Sequence, residues 1–304
     1  QIPTEEAFLQ YIEKQPDWCQ VLIHQIDLEV PIDDIIKEYD TAGHLLMVAD
    51  GSEKTHIMSF GWRLATPSGK RLATAAGPCA GRGSSLRAEG AGMLSMSLYT
   101  GLLFKFMNRK EFRVVCASDN AELIRRQHEH LQYKFPYTNM SLKAEFNLTE
   151  QIYKTQQELN IKATFQHVKG HQDRTKKKED LSLIAQMNVE ADEAAGEFRR
   201  KFGKYLPTTP ILPACPAVLS LRGRSITNNY KGHLTRAYTE PAYIEFLMDK
   251  FDWGEDAVQM IAWKCLSLAL RRIDRQVVLV KLLHGLLATA SRMHRFDQQA
   301  HAKC

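Results

Sequence analysis

The 304-residue chain has no run of 18 apolar residues, so no membrane-spanning helix is expected. It has no CxxC pair and no ladder of cysteines; the six stand singly at 19, 79, 116, 215, 265 and 304. That usage speaks against a disulfide scaffold and for a reducing, intracellular setting. Internal repeats and low-complexity stretches are missing, which sets aside repeat architectures. There is no signal peptide, but the chain opens on Gln1 rather than Met. It is expected to be a piece of something longer, so missing targeting signals carry little weight.

The length suffices for one good-sized core plus a second small unit. The formal charge of +5 is unevenly spread. Residues 1–44 carry 2 basic and 10 acidic side chains, a balance of −8. Residues 45–205 carry 25 and 17, a balance of +8, and residues 206–304 carry 13 and 8, a balance of +5. Two basic segments thus follow an acidic arm, and basic domains concentrate polyanions such as nucleic acid.

Up to residue 44 the pattern is helical and polar, broken at Pro16 and Pro31. From His44 it changes to strands. The first ends at Asp50, with a turn at Gly51-Ser52-Glu53-Lys54. A second covers about His56–Thr66, and Pro67-Ser68-Gly69-Lys70 makes a hairpin to a third at about Arg71–Gly77. A Gly-rich loop, Pro78–Ser84, leads to a helix that Ser84 or Ser85 caps and that runs to about Phe106. Strand four is Phe112–Ser118, a second helix starts near Asp119, and another spans about Leu148–Leu159. A fifth strand, Ala163–Val168, precedes a polar loop and a last helix, Leu181–Phe202. Three antiparallel strands followed by two joined through helical crossovers predict an α/β fold: a mixed five-stranded sheet with helices on both faces. Prolines at 207, 210, 213 and 216 mark a linker. Beyond it Tyr243–Lys250, Ala257–Ile273 and Arg275–Ser291 read as helices.

Four carboxylates fall where this order of elements would gather them. Asp50 and Asp119 close strands one and four, and the carboxyl ends of adjacent central strands are where open α/β sheets place ligands. Taken singly, the first also reads as an Asp-Gly turn and the second as a helix cap. Glu89 lies in a helical stripe with Leu86, Met93 and Met96, where a carboxylate is costly unless paired or bound to a metal. Asp192 is placed by helical periodicity. Glu190, Glu193 and Glu197 share a solvated face, while Ile184, Met187, Ala191, Ala194, Phe198 and Phe202 share the buried one. Asp192 borders the buried stripe beside Asn188. Four acids at one point repel each other unless divalent cations sit among them, so a metal-dependent nuclease is expected. His171, after the Gly170 hinge, could swing toward a reacting phosphate. Arg174 and Lys176-Lys177-Lys178 are a solvated charge run or a nucleic-acid contact.

The ordered set Asp50-Gly51-Ser52, Arg87-Ala88-Glu89, Ser118-Asp119-Asn120, Val168-x-Gly170-His171 and Asn188-x-x-Ala191-Asp192 resembles the ribonuclease H family over about residues 44–203. Each motif is weak alone; five in order, on the right elements, are specific. The resemblance implies a ribonuclease H-like fold and cleavage of the RNA strand of an RNA–DNA hybrid. It implies two Mg²⁺ ions, replaceable by Mn²⁺, held by Asp50, Glu89, Asp119 and Asp192, with His171 aiding product release or proton transfer. Oxygen-rich ligation suits these ions, and two of them can hold the attacking water and the leaving oxygen of an in-line displacement. Hybrid contacts are expected from Ser52, Ser84, Ser85, Asn120, Lys169 and Asn188.

The chain departs from many family members in two places. The loop from His171 to Asn188 is long and Lys-rich, and Gln132–Asn147 has only Lys134 and Lys143 as basic residues, so no basic hybrid-gripping handle is evident. That fits a domain whose substrate is delivered by a neighbour, as in retroelement polyproteins fused to a reverse transcriptase. Lys281–Arg292 and the terminal His301-Ala-Lys-Cys304 resemble the helical tail of such proteins, with no zinc site expected within these residues. The implied organisation is an acidic lead-in at 1–43, a catalytic domain at 44–205, a Pro-rich linker at 206–217 and a basic helical extension at 218–304. Two other readings stay open: an integrase- or transposase-like DNA nuclease of the same fold, and a non-catalytic nucleic-acid-binding scaffold.

Overall fold

The acidic segment folds into three helices and a strand: α1 (Glu5–Glu13), α2 (Asp17–Ile23), β1 (Ile26–Leu28) and α3 (Ile32–Ala42). The computed structural model describes residues 4–23, 25–55, 57–132, 140–203, 211–215, 217–221 and 223–262, with Cys265 and Leu268. They fall into two compact units, Gln1–Leu234 and Thr235–Cys304.

In the first unit there follow β2 (Leu45–Lys54), β3 (Ile57–Ala65), β4 (Arg71–Cys79), α4 (Ser85–Phe106), β5 (Phe112–Ser118), α5 (Ala121–Gln132), α6 (Phe146–Glu158), β6 (Ile161–His167) and α7 (Leu183–Phe202). The mixed α/β fold expected from the sequence is present, with six strands in the order β1-β4-β3-β2-β5-β6 rather than five. The sixth is β1, antiparallel to β4. It escaped the sequence reading because three residues, Ile-Asp-Leu, are too short to show a period. β2, β3 and β4 are antiparallel neighbours, whereas β5 and β6 run parallel to β2.

Alternation along β2 sets the layers. Leu45, Met47 and Ala49 join the large core with Met93, Leu94 and Met96 of α4. Leu46 and Val48 turn to the other face and pack with Met187 of α7. β2 does not end at Asp50, as its Asp-Gly pair had suggested; it pairs with β3 through Lys54↔Ile57, and the ladder overrides the turn signal. Close approach of helices to this strand pair requires glycine at two places. A Cβ at Gly51 would collide with the Ala88–Glu89 backbone of α4, and one at Gly61 with the Ala191 carbonyl of α7.

The first 44 residues share this core. Phe8 packs edge-on against Tyr99 of α4, with ring centroids 5.8 Å apart, and Ile32, Ile35 and Ile36 are buried. The Trp62 indole donates to Ser95 Oγ (2.9 Å), which donates to the Leu22 carbonyl (2.7 Å). Acidic side chains of this segment meet cations of β3 and of two loops: Glu29 with Arg63, Glu38 with Lys70, and Asp40 with Arg109. Exposed pairs of this kind contribute little, so the apolar contacts hold the segment in place.

α7 differs from its expected face in two residues. Glu190 is only 15% exposed and accepts both Nε and Nη2 of Arg71 at 2.9 Å. Burial pushes its carboxyl up, but Arg71, with Lys178 and Arg63, outweighs this and holds it below the usual range. Phe202, expected in the core, is exposed.

Still in the first unit, Leu212 joins the large core, and the Ala214 amide donates to Gln151 Oε1 of α6 (2.8 Å). A small hairpin, β7 (Leu219–Leu221) and β8 (Arg224–Ile226), follows. The expected helix at Tyr243–Lys250 is part of α8 (Tyr230–Phe251), with Pro241 inside it. In the second unit α9 covers Glu255–Gln259. The expected helix Arg275–Ser291, most of Ala257–Ile273, the Lys281–Arg292 tail, His301–Cys304 and prolines 207, 210 and 216 lie outside the described residues. No helix among the described residues is long and apolar enough to cross a membrane.

Candidate metal centre

Asp50 and Asp119 are brought together by strand register. β2 and β5 are parallel with Val48 beside Ala117; two residues further on, Asp50 continues β2 and Asp119 stands one residue past the end of β5. Asp50 points to the α7 side, where it meets Asn188. Ser118, one residue before Asp119, points to the α4 side, where Glu89 waits on the first turns of that helix. Asp50, Glu89 and Asp119 each offer a carboxylate oxygen, and these atoms all lie within 4.8 Å of one another.

Nearly every polar atom around the acids is spent on orienting them. Asp50 accepts from the Gly51 amide (2.6 Å) and from Asn188 Nδ2 (3.0 Å). Glu89 accepts from Ser118 Oγ (2.6 Å) and Asn120 Nδ2 (3.2 Å). Asn120 also caps α5, its Oδ1 accepting from the Leu123 amide (3.0 Å). Gly170 lies against Asp119, and a Cβ there would strike its Oδ2. His167 Nε2 contacts the Asp119 carbonyl at 3.1 Å.

The electrostatics are those of a site short of positive charge. Asp50 and Glu89 are 4% and 5% exposed. Burial, then the charges of Asp119, Glu89 and Asp192, push the Asp50 carboxyl up to about 9. Burial and the neighbouring Asp119 push Glu89 up to about 8, against the lowering effect of Ser118 and Asn120. Burial penalises the charged form and like charges add to the penalty. The all-oxygen donor set, the mutual repulsion and an orphaned buried acceptor, Asn188 Oδ1, fit a hard divalent cation.

Asp192 stands apart from this tight triad, although its charge reaches Asp50. Its side chain is 42% exposed, and its Oδ2 lies 3.8 Å from His171 Nδ1. His171 is itself exposed, at a left-handed φ of 51°. The remaining expected residues divide in two. Ser52 Oγ accepts from Arg199 Nε (2.9 Å), and Ser84 Oγ caps α4 by accepting from the Arg87 amide (3.3 Å). Asn188 is buried under Asp50, whereas Ser85 and Lys169 are exposed. Sequence reasoning quoted Ser118 inside a motif but gave it no role; its position one residue before an acid at a strand end, with the opposite parity, was the available signal. A cavity of about 370 Å³ is lined by Glu5 and Ile26–Pro31 and by none of these acids.

No family model and no curated protein matches the chain. Solved structures similar to it include LC11 ribonuclease H1, isolated from compost by a metagenomic approach, in complex with an RNA/DNA hybrid. That match has 13% identity and a TM-score of 0.35, covering 50% of this chain and 94% of that one. Ribonuclease H1 of the halophilic archaeon Halobacterium salinarum matches at 13% identity and TM-score 0.35, over 52% of this chain and 99% of that one. A foamy viral protease-reverse transcriptase in complex with dsDNA matches at 15% and 0.32, over 50% and 93%. Likeness this distant carries no argument of its own; the side chains do.

Proposed function

We propose that the chain is a metal-dependent endonuclease that hydrolyses the RNA strand of RNA–DNA hybrids during reverse transcription. The observation that carries this reading is the convergence of Asp50, Glu89 and Asp119, from β2, α4 and the end of β5, within 4.8 Å. Two Mg²⁺ ions held by these acids and Asp192, with Mn²⁺ able to substitute, would supply the positive charge for an in-line displacement leaving a 5′-phosphate and a 3′-hydroxyl.

The protein's own groups have separate tasks. Asn188 and the Gly51 amide hold Asp50 in one orientation, as Ser118 and Asn120 hold Glu89; such supporting bonds fix ligand geometry. His171, on an exposed turn beside Asp192, aids product release or proton transfer. Ser85 and the Gly81–Ser84 loop at the start of α4 meet the 2′-hydroxyls that distinguish RNA from DNA. Lys169, Arg174, Lys176 and Lys177 are exposed and have no ion pair among the described residues, which suits contact with phosphates.

A reverse transcriptase in the same polyprotein would deliver the hybrid. The cations of the α5–α6 region support this, because the protein has already used them. Lys143 binds Glu129 (2.8 Å), Arg125 binds Glu122 (2.7 Å) and Glu129, and Arg126 binds Glu122 (2.7 Å). Lys134 lies outside the described residues.

The test is cleavage of matched RNA–DNA hybrid, RNA duplex and DNA duplex by the purified chain in Mg²⁺. Hybrid-selective cutting, abolished by EDTA and by Asp50→Asn, is expected. Equal cutting of DNA duplex would hand the case to an integrase-like nuclease. No cutting, with or without added reverse transcriptase, would favour a scaffold.

A further inference from the structure

Arg87 and Glu145 form an ion pair with almost no access to water: their side chains are 4% and 0% exposed, and Nη1 meets Oε2 at 2.8 Å. Neither residue touches the acid triad, so the metal centre does not explain their burial. Burying both charges is costly unless every remaining polar atom is bonded, and here the bonds extend well beyond the pair. Arg87 Nε donates to the Ala80 carbonyl (2.6 Å), and Nη1 also reaches Asn147 Oδ1 (3.4 Å). Gly81, at φ +116°, covers the guanidinium so closely that a Cβ there would strike Nε. Glu145 sits at a left-handed φ of 58° just before α6, a conformation costly for a residue with a Cβ. Its amide donates to the Thr227 carbonyl (2.6 Å), and its Oε1 accepts from Asn228 Nδ2 (2.7 Å).

Arg87 lies on the helix that carries Glu89, and Glu145 stands just before α6. Two residues along an α-helix is a rotation of about 200°, so Arg87 and Glu89 point to opposite sides of the first turns of α4. On the Glu89 side the backbone rests against Gly51. On the far side it is tied through Arg87 to the 80–81 loop, the residues before α6, and Thr227-Asn228. The start of α4 is therefore gripped from both sides and cannot roll without breaking one set of contacts.

We propose that Arg87, clamped by Glu145 and through it by Asn228, is a positioning residue that sets where Glu89 stands relative to Asp50 and Asp119. The segment after the proline-rich stretch thereby helps build the metal centre instead of merely following it. This rests on the reading of the three acids as a metal centre.

The experiment uses the full chain and Mn²⁺ alone as probe. Calorimetric Mn²⁺ affinity is measured beside the melting temperature in EDTA. Removing both charges together, Arg87→Met with Glu145→Leu, is expected to keep the melting temperature within a few degrees, because a buried pair can be replaced by apolar side chains. Mn²⁺ should nonetheless bind roughly 10- to 100-fold more weakly, the usual cost of losing a ligand's support. Asn228→Ala, which leaves the pair intact, should weaken Mn²⁺ binding severalfold and decides the matter if the double variant does not fold. Wild-type affinity in a folded double variant, or in Asn228→Ala, would overturn the proposal. Failure of the wild type itself to bind Mn²⁺ would instead sink the metal-centre reading.

Discussion

Asp50→Asn should make the metal-free protein more stable and the metal-loaded protein less so. In the folded chain the Asp50 carboxyl is pushed from 3.8 up to about 9, first by burial and then by Asp119, Glu89 and Asp192. The folded state thus keeps a proton that the unfolded state releases near pH 4. Stability from this group is present in full below about pH 4 and is lost as pH rises toward 9, the reverse of an ordinary ion-paired aspartate. Each pH unit in that window is worth about 1.4 kcal/mol, so at pH 7 the ceiling on the cost is about 4 kcal/mol. Asn keeps an acceptor for the Gly51 amide. Its new amide can donate to the orphaned Asn188 Oδ1 after a flip of Asn188, but Asn188 Nδ2 then loses its acceptor.

Allowing half the ceiling for that loss leaves about 2 kcal/mol, or about 4–8 °C in melting temperature for a unit of this size. The assay is thermal unfolding at pH 7 in EDTA and in Mg²⁺. Wild type should gain about 2.7 kcal/mol at a hundredfold excess of metal over its dissociation constant, and Asp50→Asn should gain almost nothing. The order of the two proteins would then reverse between buffers. A lower melting temperature for Asp50→Asn in EDTA, or an equal Mg²⁺ shift for both, would refute the argument.

Three further outcomes follow from the same geometry. Metal binding must displace the protons that the raised Asp50 and Glu89 groups, at about 9 and about 8, hold at pH 7. Mg²⁺ affinity should therefore climb from pH 6 to 9, with proton release visible by calorimetry in buffers of different ionisation enthalpy; a flat profile would count against it. Gly170→Ala should reduce cleavage about 10- to 100-fold by turning Asp119 away while leaving the melting temperature within about 2 °C, and wild-type activity would show that the loop relaxes. His171→Ala should lower steady-state turnover about tenfold through product release. Single-turnover cleavage should fall less, and an equal fall in both would place His171 in the chemical step.

Much of this arrangement was legible in the sequence because it depends on local pattern. Phe112–Ser118 is a strand over the expected residues, and the acids at 50, 89 and 119 meet because two adjacent strands and one helix start are enough to bring them together. What escaped depends on distant partners. Phe8, Ile12, Ile32 and Ile36 had helical spacing, but nothing in a polar segment says which core receives them. Glu190 read as solvated because Arg71, which buries it, is 119 residues away. Arg87 and Glu145 are separated by 58 residues, and an arginine two positions before a motif carboxylate gives no sign that its charge will be sealed from water.

The acids divide by what holds them. Asp50 and Asp119 are fixed by a parallel strand register in the middle of the sheet, and Glu89 by a helix start seated on Gly51. All three positions are set by packing and ladders that form whether or not metal is bound. Their repulsion is accordingly a standing cost to the fold, and metal binding offsets it. Asp192 and His171 lie on the open side, half exposed and 3.8 Å apart, where no such packing constrains them. Substitutions in the enclosed half should therefore move stability and metal affinity together. Substitution of His171 in the open half should move turnover while leaving both nearly untouched, and Asp192→Asn should lower metal affinity with little change in stability; that separation distinguishes a working metal nuclease from a fold that has merely kept its acids.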